Sequence, residues 1–427
     1  MVAKIIFQPT KWTAERKGHL ADRIVTLNLG LGRDSSAMVC LLAEGELKVK
    51  LPGSSQLYTL KPTDIDVAVF ADTGREWDYS YQAIPQLTKI LTSLGIPFIQ
   101  LKRGSAQYYA QRKGLGNSSD PFNLRTHPAK TWAEITQRAQ EGAYHYNYAD
   151  IMADYAARST TVSLQSGDCT TKHKIAPIRR FLNDLAVVRF GVPNRKWARG
   201  RKPHLSLIGI ANDERSRVFK KNGEPKHKGL KYIQELYPLI DMELNKPDEA
   251  KILKRCELAW VRKSGCYICP YQPISHYWAL SVLHPDIFAK VEAYEQQSLK
   301  RNPNISITGT KIGGKVLPIR SLVTRWRQAN PKADVQKVLD KTYSRCTPEL
   351  KALRRQEQQQ LAAGTTQVLE PTKLSRALEA AQLRIAVIEL RLSTPSISSD
   401  VISLIEQLEG DLAKIDRAPR TFGRTKE

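Results

Sequence analysis

One segment constrains the fold of this chain more than any other: Arg23-Ile24-Val25-Thr26-Leu27-Asn28-Leu29-Gly30-Leu31-Gly32-Arg33-Asp34-Ser35-Ser36-Ala37-Met38. An apolar, β-branched run ends in a glycine loop. The loop opens into a helix with hydroxyls in its first turn. Backbone N–H groups at such a helix start have no intrahelical acceptor, and with the helix dipole they form an anion site, most often for phosphate. Gly30 and Gly32 let the backbone approach a ligand closely.

Further apolar runs at Asp64–Asp72, Pro97–Leu101 and Leu205–Ile210 have the continuous pattern of strands buried on both faces. Helical patterns fit between them at Ser35–Glu46 and Glu76–Ser93. Repeated strand–helix–strand units imply an α/β fold with a parallel sheet. Ligands bind beyond the carboxyl ends of such strands. Asn28, Asp72 and the segment after Ile210 belong to that edge.

The chain has 427 residues, enough for two or three domains. No apolar run is long enough to span a membrane, and the first residues lack an apolar signal region, so the expectation is a cytoplasmic protein with no membrane partner. The formal net charge is +24, and residues 166–235 hold 17 Lys/Arg against 6 Asp/Glu. That density favours a polyanion such as DNA or tRNA, through counterion release. A small phosphorylated ligand or a solvated face accounts for it too. Within this belt, residues 192–203 form a basic loop carrying Trp197, a mix suited to stacking on a base.

Residues 105–165 read as an insertion without a clear strand. Near the C-terminus, Leu374, Leu378, Ala381, Ile385, Ile388 and Leu392 form a heptad-like seam. Val401, Leu404, Leu408, Leu412 and Ile415 continue it beyond Pro395. This predicts a helical hairpin that packs on the body or joins a homo-oligomer, followed by a basic tail over 417–427. The expected division is an α/β domain over 1–285, a helical extension over 286–363, and the hairpin and tail over 364–427.

The glycine loop has three readings. A Walker loop needs a lysine that is absent. A dinucleotide fold wants an acidic residue about 20 positions on, whereas the acid ending the second strand, Asp72, comes about 40 on. The third reading fits best. Gly30-Leu31-Gly32-Arg33-Asp34-Ser35 resembles the Ser-Gly-Gly-x-Asp-Ser pyrophosphate loop of the adenine nucleotide α-hydrolase (PP-loop ATP pyrophosphatase) superfamily, with Gly30 and Leu31 replacing its first Ser and Gly.

Other segments resemble the phosphoadenosine phosphosulfate reductase-like branch of phages and bacteria, which includes DNA phosphorothioation sulfurtransferases. Phe70-Ala71-Asp72-Thr73-Gly74 resembles its second-strand motif. Cys169-Thr170 with Lys174-Ile175-Ala176-Pro177 resembles its Cys-Thr…Lys-Ile-x-Pro segment. Gly209-Ile210-Ala211-Asn212-Asp213-Glu214 with Arg217 resembles its Gly-Ile-x-x-Asp-Glu…Arg segment, and Cys266-Tyr267-Ile268-Cys269-Pro270-Tyr271 its Cys-x-x-Cys-Pro-Tyr/Phe box. They occur in the family's order and span residues 24–290, about 60% of the chain.

The resemblance implies a five-stranded α/β core with flanking helices that binds ATP or an adenylated sulfur compound. N–H groups near Gly32, Arg33 and Ser35 would cradle phosphates, with Ser35 and Ser36 hydroxyls as further donors. Asp34 would hold Mg²⁺. Arg33 would contact phosphate or face solvent. Asp72 and Gly74 would border the nucleotide. Asp213, Glu214, Arg215 and Arg217 would wall the phosphates, or form an ordinary surface ion-pair cluster.

Of the six cysteines, Cys40 reads as core and Cys346 is isolated. Cys266-x-x-Cys269 offers two thiolates on one turn, the geometry metals and clusters require. With Cys256 ten residues upstream and Cys169 near 100 upstream, four thiolates could close a Cys₄ site. Related sulfur-handling members make a [4Fe–4S] cluster the first expectation, structural zinc the second and a redox dithiol the third. Two half-polar residues in a turn is the plain alternative. Lys172, His173 and Lys174 follow Cys169 and line that site, although a lone His is more often a surface or capping residue. The reductases' own Glu-Cys-Gly motif is missing.

The resulting expectation is an enzyme that cleaves ATP between its α and β phosphates, releases pyrophosphate, and supports sulfur transfer on a nucleic acid, with a sulfur donor protein as a further partner. Reduction of an adenylated sulfate and a catalytically silent nucleic-acid-binding regulator are the alternatives.

Overall fold

A computed structural model describes residues 23–112, 127–145, 150–158, 168–191, 203–226, 232–312 and 315–340, with Leu20, Leu124 and Thr161 besides. The Trp197 loop, Cys346, the 374–415 hairpin and the basic tail lie outside the described residues. The described elements belong to one unit, Met1–Arg354, and Arg355–Glu427 is a separate one.

Five strands form the central sheet: β1 (Val25–Asn28), β4 (Val67–Ala71), β5 (Phe98–Leu101), β6 (His204–Ile208) and β7 (Ile233–Leu236), in the order β5-β4-β1-β6-β7. Every neighbouring pair is parallel, with Leu27 opposite Ala68 on one side and Leu207 on the other. The expected parallel α/β sheet is therefore present, and four of its strands fall on the predicted runs. The fifth, β7, has the sequence IQEL with only its end residues buried. Such an edge strand carries no continuous apolar run to mark it.

Side chains alternate between the two faces, as the strand period requires. Leu27, Ala68, Phe70, Leu205 and Leu207 pack with Met38, Leu41 and Leu42 of α1 (Arg33–Ala43) and with Leu87 and Leu91 of α2 (Asp78–Ser93). Val67, Val69, Ala71 and Leu101 face the other way, onto Ile135 and Ala139 of α4 (Trp132–Glu141) and Phe181, Leu182 and Leu185 of α7 (Ala176–Phe190). Each fully buried Leu or Met contributes about 1.5–3 kcal/mol. Coverage of both faces explains why these strands read as continuous apolar runs.

A small antiparallel hairpin, β2 (Lys48–Lys50) with β3 (Leu57–Thr59), is inserted between α1 and β4. It accounts for the late position of Asp72. The 105–165 insertion contains α3 (Ala106–Arg112), α4 and α5 (Ile151–Ala157) and no strand among the described residues. Next, α6 (Asp168–Thr170) runs through a π turn, Thr171–Ile175, into α7. After β7 come α8 (Pro238–Asp241) and α9 (Lys246–Arg255).

Beyond the Cys-x-x-Cys turn the chain is helical: α10 (Ile274–Leu283), α11 (Pro285–Arg301), α12 (Ile319–Ala329) and α13 (Val335–Asp340). Their buried residues Tyr277, Phe288, Leu322 and Trp326 share a core with Trp77, Tyr155, Cys266 and Tyr267. That core runs across position 285, where the sequence places a boundary. Among the described residues, no helix is long and apolar enough to cross a membrane.

Candidate functional site

The glycine loop lies at the carboxyl edge of the sheet. β1 ends at Asn28, which stands opposite Val69 of β4 and Ile208 of β6. Asn28 Nδ2 donates to Ser206 Oγ at 2.6 Å and to the Leu207 carbonyl at 3.2 Å. Its Oδ1 is buried with no hydrogen-bond partner among the described residues. Asn28 therefore fastens β6 to the loop and keeps one acceptor in reserve.

Leu31 holds φ +56° and is completely buried. Left-handed backbone of this kind ordinarily favours glycine. Leu31 meets the demand by burying its side chain in the core beside α1. Gly32 caps α1 with extended backbone and no side-chain cap. The first N–H groups of the helix thus remain without a capping side chain, as an anion cradle requires.

Ser35 departs from its expected role. Its Oγ accepts from Gly30 N at 3.1 Å and donates to the Gly32 carbonyl at 3.1 Å. The hydroxyl proton is engaged inside the loop, so in this structure Ser35 shapes the loop. Ser36 is fully buried, and its Oγ has no hydrogen-bond partner among the described residues.

A charged wall stands over the start of α1. Ala211 N donates to Asp34 Oδ2 at 3.3 Å. A Cβ on Gly209 would lie 2.8 Å from Ser35 N, so only glycine lets the segment after β6 pass this close. Glu214 is 3% exposed, yet pairs with Arg217 at 2.5 Å, Lys246 at 2.9 Å and Lys263 at 3.5 Å. Burial works against its charge, but Lys263, Lys246 and Arg217 outweigh it and hold the carboxyl below the usual range. Burial pushes Asp34 the other way, upward, with Glu214 adding to the rise.

The wall thus unites Asp34, Asp213, Glu214 and Arg217, as the sequence motif suggests. Arg215 is instead laid over the Phe219 ring, 5.1 Å from its centroid. Lys246, Glu249 and Lys263 complete the wall and were not anticipated. They come from α9 and the loop after it, and no local motif marks them.

That following loop forms a strap across the glycine loop. Arg33 Nε donates to the Val261 carbonyl at 3.0 Å, which holds the guanidinium against the strap. A Cβ on Gly32 would lie 2.5 Å from Ser264 N. The strap then joins the turn after β4: Trp77 N donates to the Gly265 carbonyl, and Tyr267 N to the Arg75 carbonyl. The glycine loop and the Cys-x-x-Cys turn are thereby joined by one strap.

Asp72 is buried at the end of β4 and holds its own surroundings together. Its carboxylate accepts from Gly74 N at 2.7 Å, Tyr81 Oη at 2.7 Å and Gln100 Nε2 at 3.0 Å. It shapes the turn in which Gly74 takes φ +74°. The same turn sends Glu76 inward, where its Oε1 pairs with Lys174 Nζ at 3.1 Å.

The cysteines divide into two groups. Cys256, at the end of α9, packs with the α1 core, hydrogen-bonds Cys40 and reaches toward Glu44. Cys169, Cys266 and Cys269 pack together on the other core, around Lys174. The structure thus brings Cys169, Cys266 and Cys269 to one core and places Cys256 at another. Among the described residues, no group of three or more His, Cys, Asp or Glu is placed to hold a metal ion.

Cys266 donates to Cys269. This hydrogen bond, helped by the Tyr271 backbone and Lys174 and opposed by burial, brings Cys269 down to about 7 and raises Cys266. Burial works against the Lys174 charge, but Glu76 and the two thiols raise its affinity for the proton. His173 is no surface residue. Its Nδ1 accepts from Arg103 at 2.8 Å and its Nε2 faces Asp154 at 2.8 Å, fixing a buried neutral imidazole. Lys172 is exposed.

No protein-family model, no curated protein and no solved structure matches this chain.

The geometry itself sets what the site can do. A bare helix start binds anions, the Lys246–Lys263–Arg217 group offsets negative charge, and Asp34 supplies a hard oxygen ligand. A thiol near pH 7 beside a lysine is a nucleophile. The basic belt divides as well: Lys174, Arg180 and Arg189 bind Glu76, the Tyr144 carbonyl and Asp66. Arg215, Arg217, Lys220, Lys221 and Lys226 stay exposed in the segment that carries Glu214.

Proposed function

We propose that this chain is an ATP-dependent enzyme that cleaves the α–β phosphate bond, transferring the adenylyl group to an acceptor with release of pyrophosphate, and that it supports sulfur transfer onto a nucleic acid. The observation that carries the reading is the strap. Gly32 and Ser264 are in contact, and Cys266 follows two residues later, so an anion cradle and a reactive dithiol share one surface.

The uncapped α1 start would bind phosphates, with Lys246, Lys263 and Arg217 offsetting their charge. Asp34 is the residue that would hold Mg²⁺, which screens the phosphates when bound. One or two carboxylates suffice for this, because Mg²⁺ keeps waters and phosphate oxygens as its other ligands. The basic ridge over 215–226 would track the nucleic-acid backbone.

A [4Fe–4S] cluster or structural zinc held by Cys169, Cys256, Cys266 and Cys269 does not fit, because Cys256 sits with Cys40 and Glu44. The sulfur chemistry is assigned to Cys269 as nucleophile, with Cys266 as its hydrogen-bond donor and Lys174 as its counter-charge. The same dithiol favours a second reading, reduction of an adenylated sulfate. Cys269 would attack the sulfonyl sulfur and release the nucleotide, and Cys266 would then displace sulfite, leaving a disulfide.

The test is pyrophosphate release from ATP by purified protein, with and without DNA or RNA, against sulfite release from phosphosulfate. Pyrophosphate stimulated by nucleic acid and lost in Asp34→Ala supports the first reading. Sulfite release indifferent to nucleic acid selects the second.

A further inference from the structure

Glu249 is the one acid of the wall with no counterpart in the sequence motifs. It lies on α9 three residues after Lys246, so both project from the same face of a helix packed against α1. It is 0% exposed, and neither carboxylate oxygen has a hydrogen-bond partner among the described residues. The charges that face it are Asp34, Asp213, Lys246 and Glu214, with Asp34 the strongest.

A buried, unpartnered carboxylate is costly, because it forgoes hydration without a compensating bond. Here the cost is greater, since its strongest neighbour is a second acid. Lys246 offsets only part of it: Nζ is 2.9 Å from Glu214 and 3.3 Å from Asp213, and its bridges are made there. Two acids on packed helices, one fully buried with both oxygens unspent and raised by the charge of the other, are complementary to a hard cation.

We propose that Glu249 and Asp34 form a seat for one divalent cation, with Glu249 the second protein ligand beneath the glycine loop. The seat rests on the nucleotide reading only in giving Asp34 a cation. It differs in predicting that the cation binds before any nucleotide. The remaining positions would be filled by water and, in the complex, by phosphate oxygens, the pattern of Mg²⁺ sites completed by substrate. Asn28 Oδ1 and Ser36 Oγ, also buried and without a hydrogen-bond partner among the described residues, lie outside the seat as proposed.

The experiment uses the full chain and Mn²⁺ alone. Bound Mn²⁺ is counted from the loss of the free-ion electron paramagnetic resonance signal, and melting temperature is followed on the same samples. Wild type should take up one Mn²⁺ and melt higher with it. Glu249→Gln should weaken Mn²⁺ at least about tenfold, the scale of losing a metal-supporting group. Its metal-free melting temperature should equal or exceed that of wild type, because an uncompensated buried acid is gone. Asp34→Asn should lose Mn²⁺ likewise, and Glu141→Gln at the exposed end of α4 should behave as wild type.

Unchanged Mn²⁺ affinity in Glu249→Gln overturns the seat, as does a lower metal-free melting temperature with no change in Mn²⁺ response. If that variant fails to fold, Mn²⁺ uptake by Asp34→Asn at wild-type affinity overturns it equally. Nucleotide titration in Mg²⁺ separates the two claims. Asp34-dependent nucleotide binding without a Glu249 effect on Mn²⁺ removes only the seat. A Glu249-dependent Mn²⁺ site in a chain that binds no nucleotide removes only the reading.

Discussion

Gly32 and Ser264 meet with no room for a side chain between them: a Cβ on Gly32 would lie 2.5 Å from Ser264 N and 2.7 Å from its Oγ. The nearest atom is a backbone nitrogen, so a rotamer change of Ser264 cannot by itself relieve the contact. It ties the loop that caps α1 to the strap leading into Cys266. Two segments more than 230 residues apart in sequence are thereby held together.

Gly32→Ala should push the strap away. Overpacking of a tight contact costs about 1–3 kcal/mol. The expected outcome is that loss in urea unfolding, with weaker binding of a fluorescent ATP analogue. Wild-type stability and affinity together would contradict the contact.

Leu31 sets a test of backbone against packing. Removing a buried leucine costs about 2–5 kcal/mol, but the φ of +56° costs any residue except glycine about 1–2 kcal/mol. Leu31→Gly should therefore be more stable than Leu31→Ala by up to about 1 kcal/mol, although it is the smaller residue. Denaturant midpoints of the two variants decide it, and the reverse order would contradict the left-handed loop.

Cys269 should be the reactive thiol. Alkylation reports the thiolate, so its rate at Cys269, read by mass spectrometry, should rise with a midpoint near pH 7. Since the folded value lies below the ordinary one, the ionised thiol contributes stability above the ordinary value, and that contribution is lost as pH falls through about 7. Cys266→Ala removes the donor and Lys174→Met the counter-charge, so both should move the midpoint upward. A midpoint near the ordinary value of about 8.5 in all three proteins would contradict the pairing.

Cys256 should be dispensable for the thiol chemistry. Cys256→Ser is expected to leave Cys269 alkylation and any metal content of anaerobically purified protein as in wild type. Loss of either on that substitution would return Cys256 to the set from which its contacts with Cys40 and Glu44 remove it.

What could be read in advance follows from how local the causes are. β1, β4, β5 and β6 are legible because strands covered on both faces are continuous apolar runs. β7 is half exposed at an edge and leaves no such trace. Asp34 and Glu214 are legible through motifs beside the strands that carry them. Lys246 and Glu249 are not, because α9 meets α1 only through tertiary packing more than 200 residues away in sequence. Asp72 and Ser35 show the converse. Their motifs are visible, but the hydrogen bonds that occupy their oxygens, within the loop for Ser35 and with Gly74, Tyr81 and Gln100 for Asp72, are not. Spacing alone groups Cys256 with Cys266; the end of α9 turns it toward Cys40 instead.

The central claim is that the wall over α1 works on the phosphates of ATP. The most direct measurement is pyrophosphate released from ATP by the purified full chain, with wild type, Asp34→Ala and Glu214→Gln compared, with and without DNA or RNA. The account predicts release by wild type, stimulation by nucleic acid, and a loss of about 100-fold or more on removing either carboxylate, the scale of a lost electrostatic element of a catalytic site. Nucleotide-independent nucleic-acid binding, with no pyrophosphate and Asp34→Ala indistinguishable from wild type, would contradict it.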